Sequence, residues 1–156
     1  MNYQIEPVGF VTAARKDVTD DYWGLTEATI TLAEGFGQDA LAGLDEYSHV
    51  EVVFLFHRVG DDSISRGARH PRGNPAWPKV GIFAQRAKNR PNRIGCTICP
   101  ILRVEGNNLI VKELDAVDGT PVLDLKPVVA EFLPRNEIRQ PEWSKEVMAR
   151  YWLPGK

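Results

Sequence analysis

The chain has 156 residues, 43% of them apolar. That is the size of one domain with its own core, able to bury roughly 70% of the surface it exposes when unfolded. No run of about 18 uncharged apolar residues occurs, and the start MNYQIEPVGF puts no basic region ahead of an apolar one, so neither a membrane span nor a secretory leader is expected. The formal charge of −2 conceals an asymmetry: residues 58–103 carry ten basic and two acidic side chains, whereas the remainder carries nine basic and 19 acidic. Such a segment attracts phosphates or carboxylates, unless its arginines pair with the acidic remainder across the fold.

In chain order, Tyr3 to Thr12 and Leu25 to Ala33 alternate as half-buried strands do. A brief helix is expected over Gln38 to Leu44, where Ala40, Leu41 and Leu44 share a face and Gly43 signals an early stop. Residues 48–59, SHVEVVFLFHRV, are dense in β-branched and aromatic types and predict a central strand buried on both faces. Residues 60–78 are rich in turn formers, with Pro71, Pro75 and Pro78, and read as a long functional loop. Strands resume at KVGIFAQR and IGCTICPILRV, VEGNNLIVKEL has the form of a hairpin, and PVLDLKP is another short strand. Near the end, Pro141 suits a first helical position, and Trp143, Val147 and Tyr151 recur every four residues, predicting an amphipathic helix over about 141–152. Many short strands with one or two short helices predict a mainly β fold, a single-domain antiparallel β-barrel over residues 1–156.

Gly35-Phe-Gly-Gln-Asp-Ala40 matches a dinucleotide-binding fingerprint, but the helix after it is short and no acidic residue follows at the end of a second parallel strand. Cys96 and Cys99 have a C-x-x-C spacing, yet on a strand an offset of three sends them to opposite faces, so buried thiols in a reducing, cytoplasmic compartment are the better reading. His49 and His57 would share a strand face but stand about 26 Å apart at strand rise, too far for one ion. No metal site is expected. His57, beside Arg58 where a buried strand ends, is either a ligand contact or a structural group.

Two clusters are dense enough to carry chemistry. In Arg86-Ala-Lys-Asn-Arg90-Pro-Asn92-Arg93-Ile-Gly95 the backbone is restricted by Pro91 while guanidiniums project, as a carboxylate or phosphate ligand requires, or as a basic solvated turn also would. Around Asp115, Asp118, Gly119, Thr120 and Asp124, carboxylates gather near a strand end, where they could hold a ribose diol, stabilise a cation or accept a proton. Alternatively Asp118 only makes its turn, and Asp124 and Lys126 form an exposed pair.

These clusters, with Gly81-Ile-Phe-Ala84 ahead of them, resemble the TsaA-like (TrmO-type) methyltransferase family, whose members show GxFAxR, RPNPIG and DGTPVLDIKP in that order. The resemblance extends to Gly43-Leu44, Ser48-His49 and the strand ending in His57. It implies a β-barrel of six or seven strands acting as a homodimer, with S-adenosylmethionine as cofactor near the subunit interface. The implied activity is methylation of the exocyclic amine of a threonylcarbamoyl-modified adenosine beside the tRNA anticodon. By position it implies cofactor contacts at His57, Arg58, Arg86, Cys96, Thr97, Asp118, Gly119 and Thr120, and substrate contacts at Arg90, Asn92 and Arg93. Asp115 or Asp118 would then help accept the proton lost on methyl transfer. This sequence departs from the pattern at Arg93, where proline is usual, at Val128, where tyrosine is common, and at Asp20 to Gly24, which stand near the place of a PRQ segment. A small-molecule methyl acceptor, or a non-catalytic module that binds S-adenosylmethionine or RNA, are the alternatives these departures leave open.

Overall fold

Every long strand finds a partner on both sides, because six of them close on themselves. The computed structural model describes residues 1–155. Its barrel consists of β1 (Gly9–Ala13), β2 (Glu27–Leu32), β3 (His49–Leu55), β6 (Ile94–Glu105), β7 (Asn108–Lys112) and β8 (Pro121–Pro127), all antiparallel, in the order β1-β2-β7-β6-β3-β8. Closure leaves no edge to pair with another chain. The strands β4 (Ala68–Arg69) and β5 (Val80–Gly81) form a separate two-stranded ribbon within the loop region.

The interior is filled by alternate residues, as the period of a strand dictates. On β3 these are Val50, Val52 and Phe54, which meet Ile30 of β2, Val111 of β7 and Val122 of β8 in one continuous apolar cluster. Each such side chain contributes about 1.5–3 kcal/mol by leaving water. Leu55 lies opposite Ile94, Phe10 opposite Pro121, and Glu27 opposite Lys112. The ends of β1, β3 and β7 and the starts of β2, β6 and β8 therefore share one mouth of the barrel.

The barrel has the expected class and strand count, with differences at particular elements. Tyr3 to Glu6 are exposed and outside any strand, since β1 meets β2 and β8 only from Gly9 onward. The helix expected over Gln38 to Leu44 is two 3-10 turns, Gln38–Leu41 and Leu44–Glu46, separated at Gly43, whose φ of +83° lies in the left-handed region. β3 is buried on one face only and ends at Leu55, because a barrel strand has one interior side; His49 and His57 thus do not share a strand face. KVGIFAQR is a strand at Val80–Gly81 alone, then a 3-10 turn, Ile82–Ala84, that buries Ile82. The hairpin turns at Gly106-Asn107, with Asn108 already paired to Glu105. The last helix, α1, covers Glu142–Met148 rather than 141–152, and Pro141 precedes it in extended conformation as its N-cap. Residues past 149 leave the helix to dock elsewhere.

Gly95 illustrates how tightly the mouth is packed. A Cβ there would stand 2.6 Å from the ring of Phe54 and 2.9 Å from that of Phe56, two rings already in edge-to-face contact with centroids 5.3 Å apart. Gly95→Ala is expected to destabilise the fold by about 1–3 kcal/mol through overpacking, measured as a lower urea midpoint at unchanged slope.

Candidate cofactor and active site

Two groups of side chains converge on the mouth. The first starts from β6, where Thr97 points inward and Cys96 outward. The Thr97 hydroxyl donates to Asp115 Oδ1, and the Tyr151 hydroxyl donates to Asp115 Oδ2, so this carboxylate is gripped at both oxygens. Burial, reinforced by the Asp115 charge, raises the Tyr151 phenol above its ordinary value and keeps it a donor. Arg86, exposed at the rim, donates from its guanidinium to the Cys96 carbonyl at 2.6 Å. The Cys96 thiol donates to Glu51 Oε1 at 2.9 Å on the outer face, and burial together with Glu51 pushes it up to about 11. Cys99 lies fully buried in the core on the other side of the strand.

The second group is the turn that leads into β8. Asp118 N–H donates to the Arg15 carbonyl at 2.9 Å, Gly119 N–H to the Val11 carbonyl at 2.7 Å, and Thr120 Oγ1 to the Val117 carbonyl at 2.7 Å. Gly119 has φ +83°, which favours glycine, and a Cβ on it would lie 3.8 Å from His57 Nε2. The imidazole therefore stands against this turn. Partial desolvation, and then the neighbouring Arg58 charge, lower its pKa from 6.5. Arg58 itself is exposed and reaches the Lys16 carbonyl at 3.4 Å. Among the described residues nothing donates to the half-buried Asp118 carboxylate, in contrast to Asp115.

Arg90, Asn92 and Arg93 occupy the turn before β6. Arg90 donates to the Gln85 carbonyl at 2.7 Å; Gln85 is buried and its amide in turn holds the Arg69 and Val80 carbonyls, stapling the β4–β5 ribbon. Arg93 donates to the Val59 carbonyl at 2.7 Å and pairs with Asp61 at 3.1 Å. A guanidinium has five donors, so these bonds orient the two arginines without exhausting them. Asn92 and Arg93 have φ of +63° and +53°. Proline, confined near φ −65°, could not occupy the Arg93 backbone, so this position differs from the family pattern in conformation as well as in side chain.

Part of the basic segment is consumed by the acidic remainder, as one of the two readings anticipated. Arg72 forms a bidentate pair with Asp21, and Lys88 lies 3.7 Å from Asp20. Arg58, Arg66, Lys79 and Arg86 stay exposed. Asp124 and Lys126 form the exposed pair, at 2.7 Å. The sequence reading missed Arg15 and Tyr151. Arg15 donates to the carbonyls of Asp17, Thr19, Asp21 and Tyr22 and lies 3.4 Å from the centroid of the buried Trp23 ring, organising the loop after β1. Neither residue sits in a motif; only the tertiary fold reveals them. Trp77 donates to Glu146 of α1 at 2.7 Å, tying the long loop to the helix. Among the described residues no group of three or more His, Cys, Asp or Glu could hold a metal ion, and no helix is long and apolar enough to cross a membrane.

Residues 21–132 match the family described as the tRNA-methyltransferase O N-terminal domain. The chain belongs to this family. A tRNA (adenine(37)-N6)-methyltransferase of Homo sapiens is 38% identical over 104 residues, covering 67% of this chain but 23% of the human protein. A probable S-adenosyl-L-methionine-binding protein of Pyrococcus abyssi is 32% identical, covering 85% of this chain and 72% of that protein. The crystal structure of TrmO from Pseudomonas aeruginosa superposes with a TM-score of 0.71 at 30% identity, over 89% of this chain and 61% of that one. The chain thus spans under a quarter of its human relative's length and about three fifths of the bacterial crystal chain.

Two outcomes follow from the titrating groups. With its pKa pushed up to about 11, Cys96 stays a thiol at pH 8, so alkylation by iodoacetamide is expected to be far slower than for a free cysteine when followed by mass spectrometry. For His57, the charged form is disfavoured in the folded state. Its contribution to stability is therefore fully present above the unfolded value near 6.5 and lost as pH falls through the lower folded value. An NMR titration should place the His57 midpoint below 6.5, and His57→Gln should flatten the fall in stability below that pH.

Proposed function

We propose that this chain is an S-adenosylmethionine-dependent methyltransferase acting on the exocyclic N6 amine of an adenosine in tRNA. The observation that carries the reading is the convergence, at one mouth, of segments far apart in sequence: His57-Arg58, Arg86, Cys96-Thr97 and Asp115 to Thr120. The names of the relatives support both cofactor and acceptor.

The donor set suits the cofactor. Asp118 offers a half-buried carboxylate without a protein donor among the described residues, fit for a ribose diol or for a nearby sulfonium charge. His57, whose charged form partial desolvation and then the Arg58 charge disfavour, sets little positive charge against that cation. Gly119, open apart from His57, lets a ligand approach the backbone. Arg58 and Arg86 give the rim donors for the carboxylate of an amino-acid moiety.

S-adenosylmethionine, when bound, supplies a methyl group already made electrophilic by its positive sulfur. The protein's task is alignment and exclusion of water. With the cofactor bound, Asp118 would take the proton that the acceptor nitrogen loses as its bond to the methyl carbon forms and the carbon–sulfur bond breaks, its electron pair passing to the departing neutral thioether, whereas Asp115, engaged at both oxygens, holds its loop against β6. Arg90, Asn92 and Arg93, with the exposed Arg66 and Lys79, meet the RNA backbone. A homodimer is part of the same reading: Ile94, Ile98 and Leu102 leave an exposed apolar row along the outside of β6, suited to a second copy. We place the protein in the cytoplasm, with its substrate and with its free thiols reduced.

The test incubates the chain with methyl-labelled cofactor and total tRNA, and separately with a metabolite extract. Label recovered in N6-methylated adenosine of tRNA is expected, with binding that weakens steeply as salt rises. Label in small molecules alone, or cofactor binding without transfer, overturns the proposed acceptor or the catalysis. Asp118→Asn is expected to lower single-turnover methyl transfer by about 100-fold or more. Cofactor affinity should also fall, but by less, because the Asn side-chain oxygen still accepts a hydrogen bond from a ribose hydroxyl.

A further inference from the structure

The segment after α1 lies beyond residues 21–132 that match the family, yet one of its side chains enters the site. Residues 150–154 run beside Tyr22 to Gly24: Tyr22 N–H donates to the Arg150 carbonyl at 3.2 Å, Trp23 N–H to the Tyr151 carbonyl at 2.8 Å, and Gly24 N–H to the Leu153 carbonyl at 3.1 Å. A parallel bridge joins Gly24 to Pro154. Gly24 is buried, and any Cβ there would collide with the Trp152 carbonyl, so only glycine admits this strap so close. At the far side Trp77 of the long loop anchors α1 through Glu146. The strap is thereby fixed at both ends, with Tyr151 between them.

We propose that Tyr151 is a positioning residue of the cofactor site: its hydroxyl, acting on Asp115 Oδ2, fixes the carboxylate that holds Thr97 and sets the wall of the mouth on the β6 side. Thr97 alone would leave Asp115 anchored at one oxygen and free to swing about that bond. With both donors present the carboxylate is gripped from the barrel wall and from the strap. The inner side of β6 at the mouth, beside the Arg86 bond to the Cys96 carbonyl, is then preorganised before any ligand arrives. The inference rests on the proposed cofactor reading.

The experiment uses the full chain with Tyr151→Phe, which keeps the ring and removes only the hydroxyl. Calorimetry of S-adenosylmethionine binding is expected to show affinity lower by about tenfold or more, the scale of one hydrogen bond to a charged group. The single-turnover rate at saturating cofactor should stay within about threefold of the unmodified chain, a split between affinity and rate that loss of fold stability would not produce. The thermal midpoint, taken on the same samples, verifies that the variant is folded at the temperature of the titration. Thr97→Val, which removes the other donor, should also weaken binding, and the double variant by less than the sum of the two. Unchanged affinity in Tyr151→Phe, beside clear binding by the unmodified chain, overturns this inference alone. If the unmodified chain binds no cofactor, the proposed function and the inference fall together.

Discussion

The seam between β1 and β8 is the constraint on which everything else hangs. It is the shortest junction in the barrel, with only Gly9 opposite Val122 and Phe10 opposite Pro121 in register. It is completed by loop bonds: Val8 N–H to the Val122 carbonyl, Val11 N–H to the Thr120 carbonyl, and Gly119 N–H to the Val11 carbonyl. The residues that close the cylinder are thus the same Asp-Gly-Thr turn that bears the site's unengaged carboxylate. An unpaired backbone group in such a place costs more than a made hydrogen bond gains, so the turn is held by the fold's need for closure as well as by the chemistry proposed for it.

This dual use separates the roles of the two carboxylates. Asp115 and Asp118 are three residues apart and equivalent by composition, but Asp115 faces two hydroxyl donors and Asp118 none among the described residues. Hydrogen bonds at both oxygens hold a carboxylate in one orientation and occupy the approach to it, whereas an unengaged carboxylate stays open to a ligand. Their environments, rather than their identities, make one a structural anchor and the other the candidate base.

Much of the molecule was legible from residue pattern. The alternation in Leu25 to Ala33, the hairpin form of VEGNNLIVKEL and the density of short strands pointed to the barrel, whereas SHVEVVFL, read as buried on both faces, alternates with one face inward. The linked motifs led to the family and to segments that do meet at one mouth. What stayed hidden depended on tertiary partners. KVGIFAQR looks like a strand by composition, yet its chain turns after Gly81 because Ile82 has a buried pocket to fill. The spacing of Trp143, Val147 and Tyr151 suggested one helical face, whereas docking on Tyr22 to Gly24 draws Tyr151 off the helix and toward Asp115. Arg15, surrounded by carbonyls of its own loop, carries no local signature at all.

The strap also bears on the order in which the molecule assembles. All six barrel strands, with Trp23 and Asp115, precede residue 128, whereas the strap of residues 150–154 that bonds both follows them. During synthesis from the N-terminus, the cylinder can close and bury its core while the mouth still lacks one wall. Long loops must be closed before the strap's contacts form, and they come late for the same entropic reason. A nascent chain can therefore hold a closed barrel before the strap brings the Tyr151 hydroxyl to Asp115.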